Sequence, residues 1–158
     1  MTKRLVAMAA CCLALACAGG ARAQLAQGYP IVAADAQRMA QACVALAQRS
    51  GWTMQVAILD EHGDLVRFER MDGARRATGT IALEKARSAF RTGRTTRELQ
   101  QMDPSGQRLF DAVTIPGGLV LRDGIHEVAY VGVSGSKPDN DEACAAQALA
   151  AMPLGKGG

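Results

Sequence analysis

WTMQVAILDEHGDLVRFERM, residues 52–71, holds the change of period that decides the fold. Trp52, Met54, Val56 and Ile58 alternate with Thr53, Gln55, Ala57 and Leu59, the two-residue repeat of a strand. Asp60-Glu61-His62-Gly63-Asp64 supplies turn formers. The alternation then resumes from Leu65 to Met71, with Val66 and Phe68 on one face and Arg67 and Glu69 on the other. The stretch predicts an antiparallel hairpin.

Helical spacing flanks it on both sides. Upstream, Ala36, Met39, Ala40, Cys43, Val44 and Ala47 form one apolar stripe over residues 34–50, with Asp35 near the start and Gly51 as the stop. Downstream, a loop at Met71-Asp72-Gly73-Ala74-Arg75-Arg76 leads into residues 78–91. There Ile81, Ala82, Leu83, Ala86, Ala89 and Phe90 share an apolar arc. Lys85 falls inside that arc, which predicts a buried stem with the ammonium reaching water; contact with a ligand or a second subunit is the alternative.

Thr95 or Thr96 can cap a shorter helix through Met102, which Pro104-Ser105-Gly106 ends. After Pro116-Gly117-Gly118, a second hairpin pairs Leu119–Arg122 with Ile125–Val133. Asp123-Gly124 suits a type I′ turn, which would set Leu121 opposite His126. A last, alanine-rich helix runs to Met152, and Asp139, Asp141 and Glu142 in its first turn complement its dipole. The order is α-β-β-α-α-β-β-α in a single α+β domain over residues 24–158.

Residues 1–23 read differently. Lys3 and Arg4 precede a 14-residue apolar run from Leu5 to Ala18, and Ala21-Arg22-Ala23 forms a small-x-small cleavage site. The run is shorter than the roughly 18–20 residues of a membrane span. A signal peptide cleaved after Ala23 is expected, hence a periplasmic or secreted protein without stable membrane insertion. The full chain of 158 residues has a formal net charge of +3. Cleavage removes three basic residues and no acidic one, so the mature chain is formally neutral and nothing in its net charge favours nucleic acid. Cys43 and Cys144 remain; their sequence separation leaves a bridge open, and two buried free thiols are the favoured expectation because small residues on the inner faces of separate helices need no bond to explain them.

Catalytic and metal motifs are thin. Gly132-Val133-Ser134-Gly135-Ser136 lacks the final glycine of a serine-hydrolase elbow. His62 and Asp60 sit on a turn, and Asp139, Asp141 and Glu142 lack calcium-loop spacing. No zinc-ligand spacing involves His62 or His126.

The ordered series is more specific than any member of it. Arg70-x-Asp72-Gly73-Ala74, Ala82-x-x-Lys85-Ala86-x-x-Ala89-Phe90, the threonines 95 and 96, Pro116-Gly117-Gly118, Gly132-Val133-Ser134-Gly135 and Asp141-Glu142-x-Cys144 together resemble the GlcG/HbpS-like haem-binding family. The PduO C-terminal domain is similar too, and the resemblance covers residues 34–152. It implies a profilin-like antiparallel sheet flanked by helices, homo-oligomerisation, and haem or another tetrapyrrole as ligand. The chain departs from that pattern at Leu119-Val120-Leu121, where relatives often have a valine-proline-isoleucine type of sequence.

Haem chemistry selects His62, His126, Tyr130, Met54 and Met71 as candidate iron ligands, with Arg70, Arg75 and Arg76 as propionate partners. Lys85 and Ser134 complete the candidate ligand-binding set. The leading expectation is an exported haem-binding or haem-sensing protein without catalytic residues. An accessory enzyme of small-molecule catabolism, working near Lys85, Arg70 and the Gly-Val-Ser-Gly loop, and a non-catalytic interaction protein are the alternatives.

Overall fold

The computed structural model describes residues 30–104 and 111–152. The signal-peptide segment and its cleavage site lie outside the described residues, as does part of the Pro104-Ser105-Gly106 break. Eight elements follow in the expected order: α1 (Ala33–Ser50), β1 (Gln55–Asp60), β2 (Leu65–Arg70), α2 (Arg76–Thr92), α3 (Thr96–Met102), β3 (Gly118–Asp123), β4 (His126–Ser134) and α4 (Pro138–Ala150). The strands form one antiparallel sheet in the order β2-β1-β4-β3.

α1 and α4 pack together on one face of the sheet, while α2 covers the other, mainly over β4, β1 and β3. Alternation along β1 divides the core accordingly. Val56 and Ile58 join Met39, Cys43, Ala47, Val131, Val133, Cys144 and Ala148 on the α1–α4 side. Ala57 and Leu59 meet Ala86, Ala89 and Tyr130 beneath α2. Small residues bring these layers close, and Cys43 and Cys144 are joined in a disulfide with Cα atoms 4.7 Å apart. The free-thiol expectation is thereby corrected: α1 and α4 lie side by side, so two inward-facing cysteines on separate helices meet.

Both hairpins depart from simple alternation. In the first, Ile58 pairs with Arg67 but Leu59 pairs with Leu65, so Val66 is an extra residue in β2. This bulge turns Val66 toward the α1-side core, whereas Phe68, opposite Ala57, faces α2. Val66 and Phe68 therefore do not share a face. In the second, Asp123 pairs with His126, leaving Gly124-Ile125 as the two-residue loop. Positive φ occurs there at Gly124 alone (59°), whereas type I′ requires it at both positions. The displaced turn would set Leu121 opposite Val128, and a further bulge that leaves Val128 as an extra residue in β4 moves it on to Ala129, so Leu121 does not oppose His126.

The helix ends follow local chemistry. Gly51 closes α1 in the left-handed conformation. Thr95 caps α3 through a reciprocal capping box with Glu98. β1 begins only at Gln55, after the Trp52–Met54 segment.

Candidate functional site

The motif residues of α2, the Pro116-Gly117-Gly118 turn and β4 converge on Lys85. Its side chain is fully buried, and its ammonium donates to the Val133 carbonyl at 2.9 Å and to Asp141 Oδ2 at 2.8 Å. Asp141 Oδ1 accepts from the Ser136 amide at 2.9 Å. The expected snorkelling to water does not occur, because α4 delivers an internal carboxylate to the ammonium. Burial pulls Lys85 below the ordinary lysine range and pushes Asp141 above the ordinary carboxylate range, while their mutual attraction opposes both shifts.

Glycines make this enclosure. A Cβ at Gly117 would lie 2.9 Å from Lys85 Nζ, and one at Gly132 would lie 2.0 Å from the Ala82 carbonyl oxygen. The Gly118 amide donates to Thr96 Oγ1 at 2.8 Å. The Gly-Val-Ser-Gly segment is thus close backbone packing between β4, α2 and the Thr53 segment, and Ser134 is a buried strand residue paired with Gln55. The two acids that remain at the start of α4, Asp139 and Glu142, both hold Arg97 at 2.5 Å.

The open chemistry lies on the edge strand. Leu65, Phe68 and Arg70 stand opposite Leu59, Ala57 and Gln55, on the α2 side of the sheet. α2 stops short of covering them, leaving Leu65 50% and Phe68 40% exposed. At the C-terminal end of β2, Arg70 donates to the Ala74 carbonyl at 3.0 Å. Arg75 and Arg76 are exposed beside it. Gln55 fixes this corner by donating to the Arg75 carbonyl and to Thr78 Oγ1, each at 2.6 Å. At the other end, His62 projects from the turn with its side chain 75% exposed and Nε2 3.6 Å from Glu61 Oε1. Asp60 Oδ1 accepts from the His62 and Asp64 amides at 2.9 Å, making Asp60 a turn-forming residue.

His126 is exposed at the tip of the other hairpin, beside an Ile125 that is 91% exposed. β4 lies two strands from β2, about 10 Å at the usual strand spacing, so the imidazoles occupy separate tips at one end of the sheet. Tyr130 is buried, stacks edge-to-face on Phe90 at 5.2 Å, and donates to Glu127 Oε2 at 2.6 Å. Burial and Glu127 push its phenol well up, which disfavours a phenolate ligand. Met54 is fully buried and its amide donates to Met71 Sδ at 3.3 Å, so both thioethers serve the core. Among the described residues, no three His, Cys, Asp or Glu side chains gather as a metal site.

Sequence reasoning missed Asp141 as the partner of Lys85 and the exposure of Leu65 and Phe68. The second follows from the position of β2 at the sheet edge, beyond the cover of α2, which no residue in β2 announces.

Among the described residues, four helices around a four-stranded antiparallel sheet, with a glycine-lined Lys85–Asp141 pair at the seam, define a small single-sheet α+β class. Within it the chain belongs to the HbpS-like family, described as haem degrading protein HbpS-like, whose model matches residues 31–150. Protein GlcG of Escherichia coli K12 is 35% identical over 109 residues, spanning 62% of this chain and 79% of that protein. The crystal structure of the PduOC:haem complex superposes with a TM-score of 0.71 at 29% identity, covering 80% of this chain and 98% of that one. A double mutant of Streptomyces reticuli HbpS gives 0.71 at 27% identity, covering 90% and 98%.

Proposed function

We propose that this chain is an exported, homo-oligomeric haem-binding protein of the HbpS-like family. The carrying observation is its similarity to PduOC, solved as a haem complex, over nearly the whole of that chain. The side chains present fit the group: His62 and His126 are solvent-facing imidazoles, and Arg70, Arg75 and Arg76 are exposed cations suited to carboxylates. Bound haem would supply the redox and ligand chemistry of its iron, and the chain would hold and orient it. Export is supported by the basic-apolar-small pattern of residues 1–23 and by the Cys43–Cys144 bridge, which suits an oxidising compartment. The catabolic alternative loses its anchor, because the Lys85 ammonium is enclosed and already engaged.

Titration of the mature protein with haem is expected to give a saturable Soret shift and a raised melting temperature. Absence of both overturns the assignment. Expression with the native N-terminus is expected to yield exported protein beginning at Gln24, and an uncleaved cytoplasmic chain overturns export.

A further inference from the structure

We infer that haem docks along the α2-facing side of edge strand β2, between His62 at one end and Arg70, Arg75 and Arg76 at the other. This rests on the haem-binding reading above and names the surface that performs it.

Haem is a flat apolar body with a metal at its centre and two carboxylates on one edge. It therefore asks for an apolar ledge with cations displaced to one side and an imidazole elsewhere. The β2 rim has this distribution. Leu65 and Phe68 are exposed on it, and Phe68 is braced where Gly79 brings α2 close: a Cβ at Gly79 would lie 3.2 Å from the ring. At the His62 end, Gly63 lies against Phe90, and half-buried Leu83 falls on the same side of α2 as Gly79 and Phe90. Residues 70–76 carry three arginines against one acid, Asp72, so that corner is net positive. Six strand residues span about 20 Å, a length that accommodates a porphyrin lying along the strand between the turn and the arginine corner.

The other imidazole lacks these neighbours. His126 sits between Ile125 and Glu127 and opposite Asp123, and the nearby Arg122 is committed to Glu127 at 2.7 Å and to the Gly93 carbonyl at 2.5 Å. That tip offers an apolar side chain and an imidazole without a free cation.

The test uses the mature oxidised protein, titrated in parallel with haem and with metal-free protoporphyrin, with melting curves for every variant to establish folding. Phe68→Glu and the double variant Arg75→Glu/Arg76→Glu are expected to weaken both ligands by about tenfold or more. His62→Ala is expected to shift the Soret band and weaken haem while sparing metal-free porphyrin. His126→Ala is expected to change neither. Wild-type binding that survives the Phe68 and arginine changes overturns the ledge and leaves the haem reading standing. A Soret change in His126→Ala but not His62→Ala overturns the ligand assignment. Wild-type protein that binds neither ligand overturns both readings.

Discussion

The Lys85 ammonium meets the Asp141 carboxylate at 2.8 Å, joining the middle of α2 to the first turn of α4 where water does not reach. Removing one partner strands the other as a buried charge, a far larger loss than the few methylenes of the lysine stem. A snorkelling lysine in an apolar arc would lose little on truncation, whereas one enclosed with a carboxylate loses the partner of a buried charge. Lys85→Met is expected to cost about 3–5 kcal/mol by urea unfolding at neutral pH, with Lys85→Met/Asp141→Leu recovering most of it. The deficit of the single variant shrinks in acid, because protonation neutralises the stranded Asp141. A double variant as unstable as the single one contradicts the pairing.

The bridge between α1 and α4 closes a separation of 101 residues. On the chain-entropy model such a loop contributes up to about 4.7 kcal/mol. Unfolded, unreduced mature protein is expected to show no alkylatable thiol by intact mass, and Cys43→Ala/Cys144→Ala is expected to lower stability by about 2–5 kcal/mol. Two alkylated thiols without reductant would contradict the bridge.

Gly132 and Gly124 separate two uses of glycine. A Cβ at Gly132 would press into the Ala82 backbone at 2.0 Å, where no flexible side chain can yield, while Gly124 faces open space and needs only its positive φ of 59°. Gly132→Ala is expected to cost about 3 kcal/mol or more. Gly124→Ala is expected to cost about 1–2 kcal/mol. Equal losses in denaturant melts would contradict the packing.

The capping box at α3 predicts a pH dependence. Hydrogen bonds from the Thr95 amide and hydroxyl hold the Glu98 carboxyl below its ordinary 4.5. A depressed carboxylate contributes stability that is complete above 4.5 and is lost as pH falls through the folded-state value. Thr95→Ala is expected to cost about 1 kcal/mol at neutral pH. The difference from wild type is expected to narrow below pH 4.5, and a constant difference across an acid titration would contradict the box.

The element order was legible because period, caps and turn residues agree along the chain, as Asp35, Gly51 and Thr95 illustrate. Register was less so. The bulge at Val66 and the one-residue displacement of the Asp123-Gly124 turn arise from strand twist and pairing, to which many side chains can conform. Site residues were legible as types but not as neighbours. Nothing local to Lys85 announces a carboxylate 56 positions away, and nothing in Leu65 or Phe68 shows that α2 leaves the rim uncovered. Conversely, Pro116-Gly117-Gly118 and the Gly132–Gly135 run have the look of a ligand loop, and their geometry is that of backbones meeting.

The disulfide also imposes an order of assembly. A chain made from its N-terminus can pair β1 with β2 as soon as the first hairpin exists, but the other edge of β1 waits for β4. The apolar stripe of α1 and the Cys43 thiol likewise wait for α4, whose cysteine lies 101 positions further along the chain. Until then the growing chain carries an unpaired strand edge, an uncovered helix face and a reactive sulfur together. Oxidation of Cys43 before α4 docks would join it to a thiol other than Cys144 and leave α1 without its native partner.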